Sequence, residues 1–237
     1  MNAPARIAIY DLDRTLLRRP TFTLFLLWAA WTGAPWRLLL LPLLLLAGLG
    51  HALHLFGRAR FKPFAIRLML GSSMSEARAA DLAARFAAWR VPADVPPGAR
   101  AALSRDRAEG YGLVMATAAP EFYAAAIANA LGFDALLASR HRRDDKGHWL
   151  PALDGPNCYG PEKTRRVAEW LAANVPDAPR HIRFYSDHPS DAPTFALADE
   201  AWLIGRGDKL ARIAAREGWR LVDFERADAG AKAGAER

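Results

Sequence analysis

Apolar residues along this 237-residue chain fall into three patterns, and each predicts a different kind of structure. The first is a set of short, mostly apolar runs at residues 7–10, 112–116, 135–138, 181–185 and 201–204, the length and character of buried strands, with Arg183 the one charge among them. The second is helical periodicity at residues 75–89, 120–131, 162–173, 193–198 and 209–217, with Leu82, Phe86 and Trp89 recurring on one face of the first of these. From residue 110 onward strands and helices alternate, which predicts an α/β fold: a doubly wound parallel sheet with helices on both faces. The Gly/Asp/Pro-rich stretch 139–159 reads as a β-hairpin flap, and Val91 to Gly98 as the end of an alanine-rich helix and a hinge. The Ala/Gly/Lys/Glu tail after Phe224 predicts disorder, and no internal repeat is present.

The third pattern is greasier. Between Arg19 and Arg58 the only charged residue is Arg37, and eight leucines crowd residues 38–46. As a helix the uncharged stretch 38–56 would span roughly 28 Å, close to a bilayer core of about 30 Å. The arm 21–31 is too short to do the same; Gly33-Ala34-Pro35 marks a turn between the arms, and Pro42 a kink in the second. A cleaved secretory signal is disfavoured, because cleavage after the apolar run would discard Asp11 and Asp13. If those acids work with residues beyond position 110, both ends of the insertion return to one side of the bilayer. The expected form is therefore a re-entrant or monotopic helical hairpin over about 21–56, with Arg18, Arg19, Arg58, Arg60 and Lys62 at its base facing anionic lipid. The alternative is an apolar helical cap packed on the protein itself or on a second subunit.

Candidate chemistry gathers at the predicted strand ends. Asp11 and Asp13 follow the strand 7–10 and are two residues apart; in extended geometry both side chains point the same way, so one carboxylate can attack while the other handles a proton. Thr117 ends the strand 112–116, and the amides after it could hold a phosphate oxygen. Gly160-Pro-Glu-Lys163 opens a helix with a lysine in the first turn, where a cation is unfavourable unless it meets an anion. Asp187 and Asp191 follow the strand 181–185 four residues apart, and Asp187 at the strand end could supply an oxygen to Mg²⁺. Each alone could be a cap, a solvated charge or a turn; all of them, in this order and at strand ends or helix starts, point to phosphate chemistry.

That ordered set resembles the haloacid dehalogenase superfamily of Mg²⁺-dependent phosphatases over residues 6–18 and 110–205. The insertion after the first motif resembles the cap of phosphoserine phosphatase-like members. Its apolar character, the segment from Leu70 to Arg78 and Tyr159-Gly-Pro-Glu-Lys163 look closest to the phosphatidylglycerophosphate phosphatase C branch. The resemblance implies a Rossmann-like core from residues 1–18 and 101–237 and a helical, membrane-apolar cap from 19–100. It implies Asp11 as the nucleophile that forms an aspartyl-phosphate, and Asp13 as the acid that protonates the leaving alcohol and then activates water. It also implies a metal held by Asp11, Asp187 and the Asp13 backbone carbonyl with Asp191 in support, and phosphoryl binding by Thr117 and Lys163. Arg14 departs from the pattern, since the family often has glycine or a small residue there; solvent, the site entrance and a lipid phosphate are the alternatives for its side chain.

Charge and composition narrow the partners. With 32 Lys+Arg against 25 Asp+Glu the net charge is +7. The arginines flank the insertion, recur through the middle and gather at Arg140–Arg143 rather than line one groove, which suits an anionic membrane surface and not nucleic acid. The Arg140–Arg143 cluster and His188 read as a solvated loop and a turn residue. The single cysteine, Cys158, excludes an intramolecular disulfide; it has no partnered histidine, and no Gly-x-Ser-x-Gly occurs, so a serine or cysteine nucleophile is not supported. The expectation is thus a phosphatase of a membrane lipid phosphate such as phosphatidylglycerophosphate, at the inner membrane with its site on the cytoplasmic side. A soluble small-metabolite phosphatase and a non-catalytic membrane adaptor are the alternatives.

Overall fold

The computed structural model describes residues 5–55, 57–175 and 180–226. Six parallel strands form the sheet, in the order β3-β2-β1-β6-β7-β8: β1 (Ala5–Tyr10), β2 (Gly112–Pro120), β3 (Ala135–Ser139), β6 (Arg180–Ser186), β7 (Glu200–Ile204) and β8 (Arg220–Val222). The chain winds from β1 outward to β3, then returns beside β1 and winds the other way, so the switch in direction falls between β1 and β6. Ligands of such sheets bind at the carboxyl ends of the strands at that switch. Alternation along β1 sends Ala8 and Tyr10 to one face and Ile7 and Ile9 to the other, each into its own apolar cluster. Helices α5 (Pro97–Ala108) and α6 (Glu121–Leu131) cover the first face, α7 (Pro161–Asn174) and α9 (Asp208–Glu217) the second. The short α8 (Ala192–Phe195) follows a 3₁₀ turn, Pro189–Asp191, where the sequence predicted one helix over 193–198.

Beneath the switch point lies a buried polar network. Tyr10 and Tyr185 stack at 4.2 Å. The Tyr10 hydroxyl donates to Asp106 at 2.5 Å, and Arg183 and Arg105 donate to the same carboxylate at 2.8 and 3.1 Å. Asp106 is fully buried, and three donors around it offset the cost of desolvating its charge. The network ties α5 to the two strands that carry Asp11 and Asp187.

Between β1 and β2 the chain inserts α1 (Thr21–Gly33), a 3₁₀ segment (Pro35–Leu40), α2 (Leu41–Ala52), α3 (Arg58–Leu70) and α4 (Glu76–Asp94). α1, which the sequence reading placed in the apolar hairpin, packs one face into the protein. Thr21, Phe25, Leu26, Ala29 and Ala30 are buried, with Phe25 stacked on Tyr123 at 4.4 Å and edge-on to Phe86 at 5.1 Å. Pro42 does not kink a helix; it lies in the first turn of α2, where its missing N–H costs nothing. α4 continues past the expected stop at Val91, through Pro92 to Asp94, and Arg100 donates to the carbonyls of Val91 and Pro92. The ends of the insertion meet: Arg18 N–H donates to the Asp94 carbonyl and Arg19 N–H to the Asp94 carboxylate, both at 3.1 Å, while Arg90 pairs with that carboxylate.

The flap forms as expected, with β4 (His141–Arg143) antiparallel to β5 (Trp149–Leu153), and Met74 and Trp149 exchange both backbone hydrogen bonds, joining insertion to flap. The strand β8 and the helix α3 were not expected. Residues 227–237, most of the tail predicted to be disordered, lie outside the described residues.

The outer face of the insertion is apolar and uncovered. Leu39, Leu45, Leu46 and Leu55 are 81%, 71%, 66% and 73% exposed, and Trp31, Trp36, Leu43, Leu49, Leu53 and Phe64 are exposed around them. The stretch Pro35–Ala52 is 18 residues, long and apolar enough to cross a membrane by length and composition, with 11% of it buried.

Asp94→Ala should cost about 3–5 kcal/mol, because it strands the buried Arg90 charge and unlatches the base of the insertion. Urea unfolding would measure it; a loss below about 1 kcal/mol would show that the clamp carries no stability.

Candidate active site

At the carboxyl ends of β2, β1 and β6 opens a cavity of about 400 Å³ whose walls include Asp11, Asp13, Thr117, Lys163, Asp187 and Asp191. All six residues singled out in the sequence thus meet in one place. Asp11 extends the β1 ladder by one step, its N–H donating to the Tyr185 carbonyl at 2.9 Å. The chain then turns tightly, with Leu12 O accepting from the N–H groups of Leu16 and Leu17 at 3.0 Å, and Arg14 takes φ 63°. Buried Thr15 accepts from the Asp187 N–H at 2.9 Å, tying the β1 loop to the β6 loop. Asp13 accepts from the Thr21 N–H at 2.7 Å, an anion at the amino end of α1.

Lys163 explains its unfavourable place in the first turn of α7. It is 2% exposed and donates to Asp11 at 2.8 Å and to Asp191 at 2.7 Å; Ser186 adds a bond to Asp191 at 2.7 Å. The Thr117 oxygen accepts from the Ala119 N–H at 3.0 Å, leaving its hydroxyl proton to donate to a ligand.

One lysine does not neutralise this many acids. Burial pushes the Asp11 carboxyl up to about 7 despite Lys163, raises Asp13 despite the Thr21 N–H, and pushes Asp187 up to about 6 despite His188 and Arg14. Burial works against the Lys163 charge, yet Asp11 and Asp191 hold its affinity for the proton above the ordinary lysine value. Among the described residues no three acidic, histidine or cysteine side chains converge as a metal cage. Two carboxylates, Asp11 and Asp187, can nonetheless hold Mg²⁺, which ordinarily takes one or two protein carboxylates and completes its shell with water and substrate phosphate. The buried Asp191 Oδ1, with no hydrogen-bond partner, marks the same surplus of negative oxygen.

Lys62 is the main residue that sequence reasoning misplaced. Rather than facing lipid at the base of the insertion it is 7% exposed on the cavity wall, donating to the Ala118 carbonyl and the Asn157 side chain. The signal was its spacing: Lys62 shares a helical face with Ala65, Ile66 and Met69, all buried. Phe22, Tyr159 and His188 also line the cavity, His188 while bonded to Ser190 at 2.7 Å. The Arg140–Arg143 cluster lies elsewhere, with Arg143 paired to Glu76 and its guanidinium 3.7 Å above the Trp149 ring.

Family membership follows from the whole motif order. The model of haloacid dehalogenase-like hydrolases matches residues 8–196, spanning both sides of the insertion. The chain belongs to that family. A relative, Protein CicA of Caulobacter vibrioides, is 33% identical over 204 residues, 85% of this chain and 87% of the relative. A Bordetella pertussis Tohama I protein of unknown function has the same fold at TM-score 0.78 and 24% identity, covering 94% of this chain and all of that one. A substrate-bound phosphoserine phosphatase shares the fold at TM-score 0.60 and 13% identity, covering 95% of both chains.

The carboxylate cluster predicts how the cation-free protein responds to pH. Asp11 and Asp187 titrate near 7 and 6 when folded against about 4 unfolded, so the folded state binds more protons in that window. Their contribution is fully present below about pH 4 and is lost as pH rises through 6 to 7. In chelator, Asp11→Asn should therefore gain stability relative to the wild type at pH 8 and less at pH 5, read as thermal midpoints; an equal shift at both would refute it.

Proposed function

We propose that the protein is a Mg²⁺-dependent phosphoric monoester hydrolase working through an aspartyl-phosphate on Asp11, and that its substrate is a membrane lipid phosphate such as phosphatidylglycerophosphate. The observation that carries the chemistry is the contact of Asp11 with Lys163 inside the cavity, beside Asp13 and Thr117. Mg²⁺, when bound by Asp11, Asp187 and the Asp13 carbonyl, would supply positive charge that lets a phosphate dianion approach a carboxylate. Lys163 and the Thr117 hydroxyl hold phosphoryl oxygens as the Asp11 carboxylate attacks phosphorus. Asp13, favoured in its protonated form by burial, gives its proton to the leaving alcohol; as a carboxylate it then takes one from the water that cleaves the acyl-phosphate, releasing inorganic phosphate. The Thr21 N–H keeps the Asp13 carboxyl in place for both transfers.

The lipid reading rests on the insertion, read as a cap over residues 19–100. Its uncovered leucines and tryptophans, with Leu43, Leu46, Leu49, Leu53 and Leu55 lining one outer groove, suit a monotopic protein at the cytoplasmic side of the inner membrane. The similarity of the Leu70–Arg78 and Tyr159–Lys163 segments to the phosphatidylglycerophosphate phosphatase C branch points the same way. A soluble small-metabolite phosphatase is the second reading, favoured by the way Lys62 and Phe22 from the insertion wall the cavity at about 400 Å³. A non-catalytic adaptor has no use for four carboxylates gathered at such electrostatic cost.

Phosphate release from phosphatidylglycerophosphate in mixed micelles, set against soluble phosphomonoesters with Mg²⁺ or chelator, tests these readings. Asp11→Asn should abolish turnover, and Asp13→Asn should slow it by roughly 10²–10⁴. Turnover surviving either Asp11→Asn or chelation would overturn the mechanism. Because Lys163 is buried between two carboxylates, Lys163→Met should lose stability as well as phosphate affinity. Lysines at exposed Leu39, Leu45 and Leu46 should release the protein from vesicles and collapse lipid turnover while soluble ester hydrolysis persists. A native protein that leaves vesicles unbound would favour the soluble reading.

A further inference from the structure

Arg14 is a cation on the cavity wall to which the chemistry above gives no task. Its φ of 63° is a left-handed conformation that residues with a Cβ avoid. The side chain is exposed on the cavity wall and, among the described residues, makes no hydrogen bond or ion pair. A costly backbone position occupied by a long exposed cation that makes no hydrogen bond or ion pair, its charge felt only electrostatically by Asp187, calls for a ligand. Lys62 is the second cation on the wall that does not touch Asp11. It comes from α3 of the insertion, is anchored on the Ala118 carbonyl and the Asn157 side chain, and lies 5.5 Å from the Phe22 ring.

Both cations wall the one cavity, on either side of Asp11. Lys62 donates to the Ala118 carbonyl on β2, and Arg14 precedes Thr15, whose hydroxyl accepts from the Asp187 N–H after β6. Lys163 already serves the reacting phosphoryl group from the cavity floor. We infer that Arg14 and Lys62 form a second anion subsite that reads a further acidic group on the alcohol side of the phosphomonoester. The substrate then carries two acidic groups, the phosphate that is cleaved and a phosphodiester or carboxylate that is not. The inference deepens the phosphatase reading and rests on it. It holds for a lipid headgroup and a soluble metabolite alike, because the recognised chemistry is the second anion.

The test compares kcat/KM for short-chain phosphatidylglycerophosphate and 3-phosphoglycerate with glycerol 3-phosphate, whose alcohol is uncharged, and phosphocholine, whose alcohol is cationic. The wild type should prefer one or both anionic alcohols over glycerol 3-phosphate by roughly 10–100-fold, the usual worth of charged hydrogen bonds, and phosphocholine should be the poorest. Whichever anionic substrate leads identifies the source. Arg14→Gly, which also relieves the backbone, should shrink that preference about ten-fold through KM without lowering the thermal midpoint; Arg14→Lys should keep most of it, and Lys62→Met should shrink it again.

A wild type indifferent to the second charge overturns the inference. So does an Arg14→Gly enzyme that keeps the preference but needs more Mg²⁺, because Arg14 would then only tune Asp187. If none of the four esters is hydrolysed, the phosphatase reading itself falls and takes the subsite with it.

Discussion

Four carboxylates gathered around one buried lysine are the constraint that the rest of this molecule serves. Asp11, Asp13, Asp187 and Asp191 repel one another, and burial raises the cost of every negative charge. Lys163 bridges Asp11 and Asp191 because α7 begins where it does, after Gly160 and Pro161. The acids stand together because β1 and β6 are neighbours with their carboxyl ends aligned, Tyr10 opposite Tyr185. One residue below, stacked Tyr10 and Tyr185 and the fully buried Asp106 lock the strands in register. The stability of that network holds together an arrangement that electrostatics alone would push apart.

The insertion satisfies a second constraint, which is to cover the site without pulling on it. Both of its ends close on Asp94, and its far side is held to the flap by the Met74–Trp149 pair. α1 contributes its Thr21 N–H to Asp13 and its buried aromatic face to α4 and α6. Asp13 is thus positioned by the insertion as well as by the core.

Legibility in the sequence followed the kind of signal each element carries. Strands β1, β2, β3 and β7 were plain because buried parallel strands are short, continuous apolar runs, and β6 because Ile182, Phe184 and Tyr185 are apolar around Arg183; β8, three residues with an exposed arginine first, has no such run. The aspartates, Thr117 and Lys163 were legible because local motifs at strand ends carry their own geometry. Lys62 was not, because its direction depends on α3, a helix with two arginines and a proline in its first turns that was not expected at all. Pro92 misled for a related reason: its ring argues for a stop, and the Arg100 donors that let the helix continue come from the next helix. Arg14 was noticed as a departure from its family, but only the backbone shows why glycine is usual there.

The two faces of α3 connect the chemistry to the insertion's apolar exterior. Lys62 faces the catalytic cavity, while Arg60 and Phe64, two residues away on either side and thus about 200° around the helix, line an outer groove with Leu43, Leu46, Leu49 and Leu53. One helix, roughly 10 Å across with its side chains, therefore separates the carboxylate-lined cavity from an apolar outer groove. A lipid phosphate has the same division built into it, with its reacting phosphate a headgroup's length from its acyl chains. A soluble metabolite makes no demand on the outer face, and under that reading the exposed leucines would be a solubility cost with no return. The lipid reading accounts for both faces of α3 with one substrate.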